Sequence, residues 1–179
     1  MRHLLITGPP RCGKTTLIKT LLQQPGMLRK SRGFYTEEVR EAGKRSGFRI
    51  ITIPEGQSGF LARKRWPSPH RVGAYGVDVK ALEALGCSEI ARGIEERKIV
   101  IIDEIGKMEF VSNAFRKALL EALDSAQSVL ATIMQRPHPL ADMIKRRKDV
   151  RLLSLERTDP GRAFTEALGW AKMKMEEVR

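Results

Sequence analysis

The chain of 179 residues predicts an α/β fold in one domain, 1–179: a mostly parallel sheet flanked by helices, with an added antiparallel β-hairpin. Three observations predict it. Short apolar runs at 4–6, 99–102 and 128–134 suit strands buried on both faces, as a parallel sheet requires. Segments with apolar residues at helical spacing alternate with those runs. Two extended stretches, 33–41 and 46–54, flank a short turn containing Gly43, which reads as a hairpin.

Taken in order, Leu4, Leu5 and Ile6 form a first strand ended by Gly8. Leu17, Ile18, Leu21 and Leu22 then predict a helix from near Lys14 to just before Pro25-Gly26. GFYTEEVRE and SGFRIITIP, joined by AGKR, form the hairpin, expected beside the sheet rather than within the alternation. Residues 55–77 hold Gly56, Gly59, Pro67, Pro69, Gly73 and Gly76 and read as a long loop-rich segment. Residues 78–97 predict one or two helices, broken near Gly86. IVII (99–102) is a buried strand, and 112–124 is an amphipathic helix with Phe115, Leu119, Leu120 and Leu123 on one stripe. SVLATIM (128–134) is a strand followed by the breaker-rich RPHP. A short helix at 139–147 and a last strand, VRLLSL (150–155), come next. Asp159 and Pro160 supply the N-cap and first-turn proline of a terminal helix over about 160–175.

Composition narrows the class. Apolar residues make up 41% and charged residues 30%, ordinary values for a globular protein, and no apolar run nears the ~20 residues of a membrane span. MRHLLITG leads straight into a strand, so no signal or transit peptide is expected and the location expected is cytoplasmic. Cys12 and Cys87 stand alone, as do His3, His70 and His138, so neither a disulfide framework nor a structural metal is expected. The net charge of +12 resides in 29–49, 61–71 and 145–151, each with a surplus of four. Such clusters either attract polyanions or form a solvated, ion-paired basic surface. No stacking aromatics interleave them, so nucleic acid is the less favoured partner.

GPPRCGKT (8–15) matches GxxxxGK[ST], with the strand before and helix after that the motif demands. Gly8 permits the sharp exit from the strand, and Gly13 lets the backbone approach phosphate oxygens. The N–H groups of residues 10–15 and the helix end point positive charge at an anion. Lys14 reaches the terminal phosphates, and the Thr15 hydroxyl binds Mg²⁺. Thr16 either contacts the α-phosphate or faces the turn. In IVIIDEIGKMEF (99–110), Asp103 emerges at the carboxyl end of a buried strand, where α/β sheets place ligands, and orients Mg²⁺. Glu104 orients or deprotonates a water in line with the γ-phosphate. Adjacent strand residues face opposite ways, so Glu104 is either a solvated strand-end acid or, with a break after Asp103, part of the site.

GPPRCGKTT, GFYTEEVRE, SGFRI, VGAYGVD and VIIDEIGKMEF, in this order and spacing, resemble the thermophilic nucleoside-triphosphatase family, which includes the cancer-related nucleoside triphosphatase. The resemblance runs from residue 3 to about residue 135. It implies a RecA-like P-loop NTPase core and Mg²⁺-dependent hydrolysis of ATP, GTP and other nucleoside triphosphates. The nucleotide-binding segments it implies correspond to residues 8–15 and roughly 99–106. The candidate nucleotide-binding residues are thus Gly8, Pro9, Pro10, Arg11, Cys12, Gly13, Lys14 and Thr15, with Thr16 beside them, and Ile102, Asp103, Glu104, Ile105 and Gly106. From the residue chemistry, Lys14 and Glu104 are the expected catalytic residues, and Thr15 and Asp103 the expected metal ligands.

Two other functions share this opening. A nucleotide or small-molecule kinase would need an arginine-rich lid, for which 57–76 offers Arg63, Lys64, Arg65 and Arg71. A nucleic-acid-linked NTPase would use the basic clusters. The chain lacks a base-reading NKxD motif, so broad nucleotide acceptance is the default. Arg11, Lys107 and Arg136 are candidates for a cation at the γ-phosphate. Cys12, between Arg11 and Lys14 at a helix start, is either a reactive thiolate in the site or a thiol turned into the strand–helix packing.

Overall fold

The computed structural model describes residues 1–156 and 159–178. Its first half contains β1 (His3–Thr7), α1 (Lys14–Leu22), β2 (Ser31–Glu41), β3 (Lys44–Ile53), β4 (Ser58–Lys64), β5 (Arg71–Val72), β6 (Tyr75–Val77), α2 (Val79–Ala81) and α3 (Ser88–Glu95). The second half adds β7 (Ile99–Ile105), α4 (Asn113–Asp124), β8 (Val129–Ile133), α5 (Pro139–Lys145), β9 (Val150–Ser154) and α6 (Pro160–Glu177). All nine strands join one sheet in the order β5-β6-β4-β3-β2-β7-β8-β1-β9. From β2 to β9 the pairings are parallel; from β2 outward through β3, β4, β6 and β5 they are antiparallel. β8 therefore separates β1 from β7, and the carboxyl ends of these three strands lie side by side.

The parallel strands are buried on both faces, and their residues divide by alternation. Leu5, Val100, Ile102 and Ala131 join Phe34, Phe115, Leu119 and Leu123 in one core cluster. Leu4, Ile6, Ile99, Ile101 and Leu130 join Leu17, Ile18, Leu21 and Trp170 in the other. Burying a Leu, Ile or Phe fully contributes about 1.5–3 kcal/mol relative to exposure, so the two helix layers clamp the sheet. That clamp holds the strand ends still, which is what a site built on them needs.

The structure amends three expectations. The hairpin does not sit beside the sheet: β2 pairs in parallel with β7 through Ser31–Ile99 to Phe34–Ile102 and so extends it. Residues 55–77 are not mainly loop but carry three strands, β4, β5 and β6. The β3–β4 register shifts between Phe48 and Arg49, opposite Leu61, so Leu61 and Ala62 are consecutive yet both buried. A bulge erases the period of two that marks a strand. Nor does the helix break at Gly86: a π-helical stretch, Leu82–Cys87, joins α2 to α3. A Cβ on Gly86 would come within 3.1 Å of Ile50 and Phe34, so glycine there lets the helix settle on the sheet.

Ion pairs occupy many of the clustered cations. Arg32 bonds Glu55, Glu89 and Glu96, joining β2 to α3. Arg147 bonds Asp124 and Asp149, and Arg151 bonds Glu166. Lys30 closes the end of α6 by donating to the carbonyls of Met175 and Val178. Among the described residues, no helix is long and apolar enough to cross a membrane.

Candidate active site

At the carboxyl end of β1 the chain turns tightly into α1. A Cβ on Gly8 would lie 2.5 Å from the Leu155 carbonyl oxygen, so only glycine fits between β1 and the chain leaving β9. Gly13 sits at φ 101° ahead of the helix, a left-handed conformation costly for other residues. No side chain caps α1 and its first turn holds no acid, which leaves helix N–H groups available to an anion. Lys14 folds back over the loop: its Nζ donates to the carbonyls of Gly8 at 3.1 Å and Pro9 at 3.3 Å. The same Nζ lies 3.8 Å from Glu104 Oε1.

Asp103 is gripped from three sides. Thr15 Oγ1 donates to Asp103 Oδ2 at 2.8 Å, Thr132 Oγ1 donates to Oδ1 at 2.5 Å, and the Thr36 N–H points to Oδ2 at 3.4 Å. Burial raises the Asp103 pKa, while these hydrogen bonds and the Lys14 charge oppose the rise. A buried carboxylate beside a hydroxyl, with spare oxygen lone pairs, is the hard donor pair a Mg²⁺ ion takes when phosphates complete its shell. Thr15 and Asp103 therefore fit that ion. Among the described residues, no cluster of three or more His, Cys, Asp or Glu could hold a metal by itself.

Glu104 joins Asp103 on the site because the β7–β8 register slips between Ile102 and Ile105, where the Asp103–Glu104 peptide is cis. Alternation fails across that irregularity, and both acids address the loop. Burial raises the Glu104 pKa, Lys14 lowers it and Asp103 raises it. A third acid, not singled out by its sequence context, lies beside them. Glu109, in the turn after β7, is 4% exposed, and burial together with the Glu104 charge pushes it up to about 8.

That buried proton has a measurable consequence. With a folded pKa of about 8 against an ordinary 4.5, the native state holds a proton that the unfolded chain releases. The associated stability is complete below the unfolded value and is lost as pH rises through about 8. We expect the Tm of the ligand-free protein to fall from about pH 5 to about pH 9, and Glu109→Gln to flatten the fall. An undiminished slope in the variant would assign the proton elsewhere; Asp103 and Glu104 shift in the same direction.

A cleft of about 860 Å³ opens over these groups. Gly8, Pro10, Arg11, Gly13, Lys14, Thr15, Thr16, Asp103, Glu104 and Gly106 line it. Pro9 contributes its carbonyl to Lys14 and stays off the wall, while Ile102 and Ile105 lie wholly in the core. Cys12 packs against the α1–α6 core cluster, with its Sγ turned toward Gly8 rather than lining the cleft. Lys107 and Arg136 join Arg11 on the wall. The hairpin supplies Thr36, Glu37, Glu38, Arg45 and Phe48, which the sequence reading did not place there. Thr132 was equally unforeseen, although one hydroxyl in an otherwise apolar strand is a signal. Arg63, Lys64, Arg65 and Arg71 line no part of this cleft.

The NTPase family model matches residues 3–168. Nucleoside-triphosphatase THEP1 of Thermotoga sp. strain RQ2 is 45% identical over 97% of this chain and 98% of its own. The crystal structure of THEP1 from Aquifex aeolicus superposes with a TM-score of 0.86 at 38% identity, covering 95% of this chain and 99% of that one. The solution structure of a human cancer-related nucleoside triphosphatase gives 0.81 at 32%, covering 97% and 98%.

Proposed function

The chain belongs to the NTPase family, and we propose that this nucleoside triphosphatase requires Mg²⁺ and accepts ATP, GTP and other nucleoside triphosphates alike. The observation that carries this reading is the convergence of Lys14, the Thr15–Asp103 pair and Glu104 on one cleft. Lys14 exchanges the Gly8 and Pro9 carbonyls for β- and γ-phosphate oxygens. Its departure frees Glu104 to hold a water by hydrogen bond and to take its proton as the water attacks. Thr15 and Asp103 would hold Mg²⁺, which supplies neutralisation of phosphate charge when bound. Thr132 and Thr36 keep Asp103 oriented for that task.

Broad acceptance follows from where the grips lie. Loop N–H groups, Lys14 and Thr15 all address phosphate, which every nucleoside triphosphate shares. Two free cysteines accord with a cytoplasmic setting, where thiols stay reduced.

Phosphate release from ATP, GTP, CTP and UTP, with Mg²⁺ and with a chelator, tests the reading. We expect comparable rates for all four, loss of turnover on chelation, and no change on adding RNA, DNA or nucleoside monophosphates. A phosphorylated acceptor would make the enzyme a kinase. Full activity in the chelator would remove the metal from the scheme.

A further inference from the structure

β8 lies between β1 and β7, so the chain leaving it enters the notch between the phosphate loop and Glu104. That segment is anchored on both sides. The Met134 N–H donates to the Ile105 carbonyl at 3.0 Å, and Lys145 Nζ donates to the Gln135 carbonyl at 3.4 Å. The His138 ring stacks on Phe110 with centroids 4.6 Å apart, and the His138 N–H donates to Asp142 Oδ2 at 3.0 Å. Arg136 stands between these anchors, on the cleft wall.

Three other cations of the cleft are engaged. Lys14 is held by loop carbonyls, while Lys19 and Arg45 pair with Glu37 and Glu38. Among the described residues, no hydrogen bond, ion pair or ring contact of the Arg136 side chain exists. Arg11 and Lys107 also lack such partners, but their placement differs. Arg11 is part of the loop that must wrap the phosphates, and Lys107 lies on a wall shared with a neighbouring recess of about 460 Å³. Arg136 alone of the three follows the strand that touches both motif strands.

We propose that Arg136 is a catalytic residue, supplying in cis the guanidinium that binds γ-phosphoryl oxygens in the transition state of hydrolysis. The proposal rests on the hydrolase reading above. Water oxygen bonds to the γ-phosphorus, and the bond from that phosphorus to the β–γ bridging oxygen breaks. Its electron pair leaves with the nucleoside diphosphate, and the water proton passes to Glu104. Arg136 exchanges no proton; it stabilises charge on the equatorial oxygens, and its planar fork suits two of them.

The test compares wild type with Arg136→Ala, Arg136→Lys and Arg71→Ala, a cation outside the cleft. Removing one fixed transition-state donor costs roughly 10²–10³-fold in kcat, so we expect that loss in Arg136→Ala with KM and ADP affinity nearly unchanged. Affinity for the ADP–Mg²⁺–fluoroaluminate transition-state mimic should fall by a similar factor. Free guanidinium should restore part of the Arg136→Ala rate, Arg136→Lys should recover little, and Arg71→Ala should behave as wild type. A kcat within about threefold of wild type, or equal losses for ADP and the mimic, overturns the proposal. If wild type hydrolyses and Lys14→Ala does not while Arg136→Ala is normal, only this proposal falls. If wild type hydrolyses no triphosphate, the functional reading falls first and the proposal with it.

Discussion

Lys14→Ala is expected to bring turnover down by roughly 10³-fold, the scale set by losing a charged donor at the transferred phosphoryl group. Its Nζ is the cation drawn into the loop, within 3.3 Å of two carbonyls and 3.8 Å from Glu104. A bound triphosphate would offer Nζ phosphate oxygens in exchange for these acceptors. Without Nζ the triphosphate loses that contact, and its charge meets the Glu104 carboxylate unscreened. Binding of a fluorescent triphosphate should weaken along with phosphate release. Lys14→Arg should recover little, since a planar guanidinium cannot occupy the place of a compact ammonium between Gly8 and Pro9. Unchanged hydrolysis in Lys14→Ala would remove the loop from the mechanism.

Glu104→Gln should separate binding from chemistry. The amide keeps the shape and a hydrogen-bond acceptor but cannot take the water proton, so turnover should fall by roughly 10²–10⁴-fold. Nucleotide affinity should hold or rise, because the variant removes a negative charge 3.8 Å from Lys14 and leaves that lysine free for phosphate. Asp103→Asn makes the contrast. Both Asp103 oxygens accept from threonine hydroxyls, and an amide nitrogen cannot accept, so Mg²⁺-dependent binding should fail together with turnover. Equilibrium binding and single-turnover phosphate release, measured on both variants, distinguish the roles. A near-normal rate in Glu104→Gln would take water activation away from this residue.

Local chemistry made much of the fold and site legible in sequence. The glycine-lysine-threonine loop between a strand and a helix needs only neighbouring residues to declare itself, and the apolar strand ending in Asp103-Glu104 does too. Asp159 accepts from the Arg162 N–H at the start of α6, as the Asp-Pro pair implied, because a cap is a contact across three residues. Where register decides the structure, local pattern does not suffice. β4 was hidden by a bulge that buries Leu61 and Ala62 in succession, and residue-by-residue periodicity cannot see its partner strand.

By itself, then, the sequence determined the α/β class, the glycine-rich loop between strand and helix, and the adjacency of Asp103 and Glu104, because each is written in neighbouring residues. Tertiary structure alone decided how they act together. Strand order puts β8 between the motif strands, which delivers Thr132 to Asp103 and Arg136 to the cleft from more than a hundred residues beyond the loop. A register slip in β7 turns Glu104 to the same side as Asp103. Packing turns Cys12 inward, although its neighbours in sequence face the cleft. Contacts between strands distant in the chain depend on pairing order and register, which arise only when the whole sheet closes its two cores.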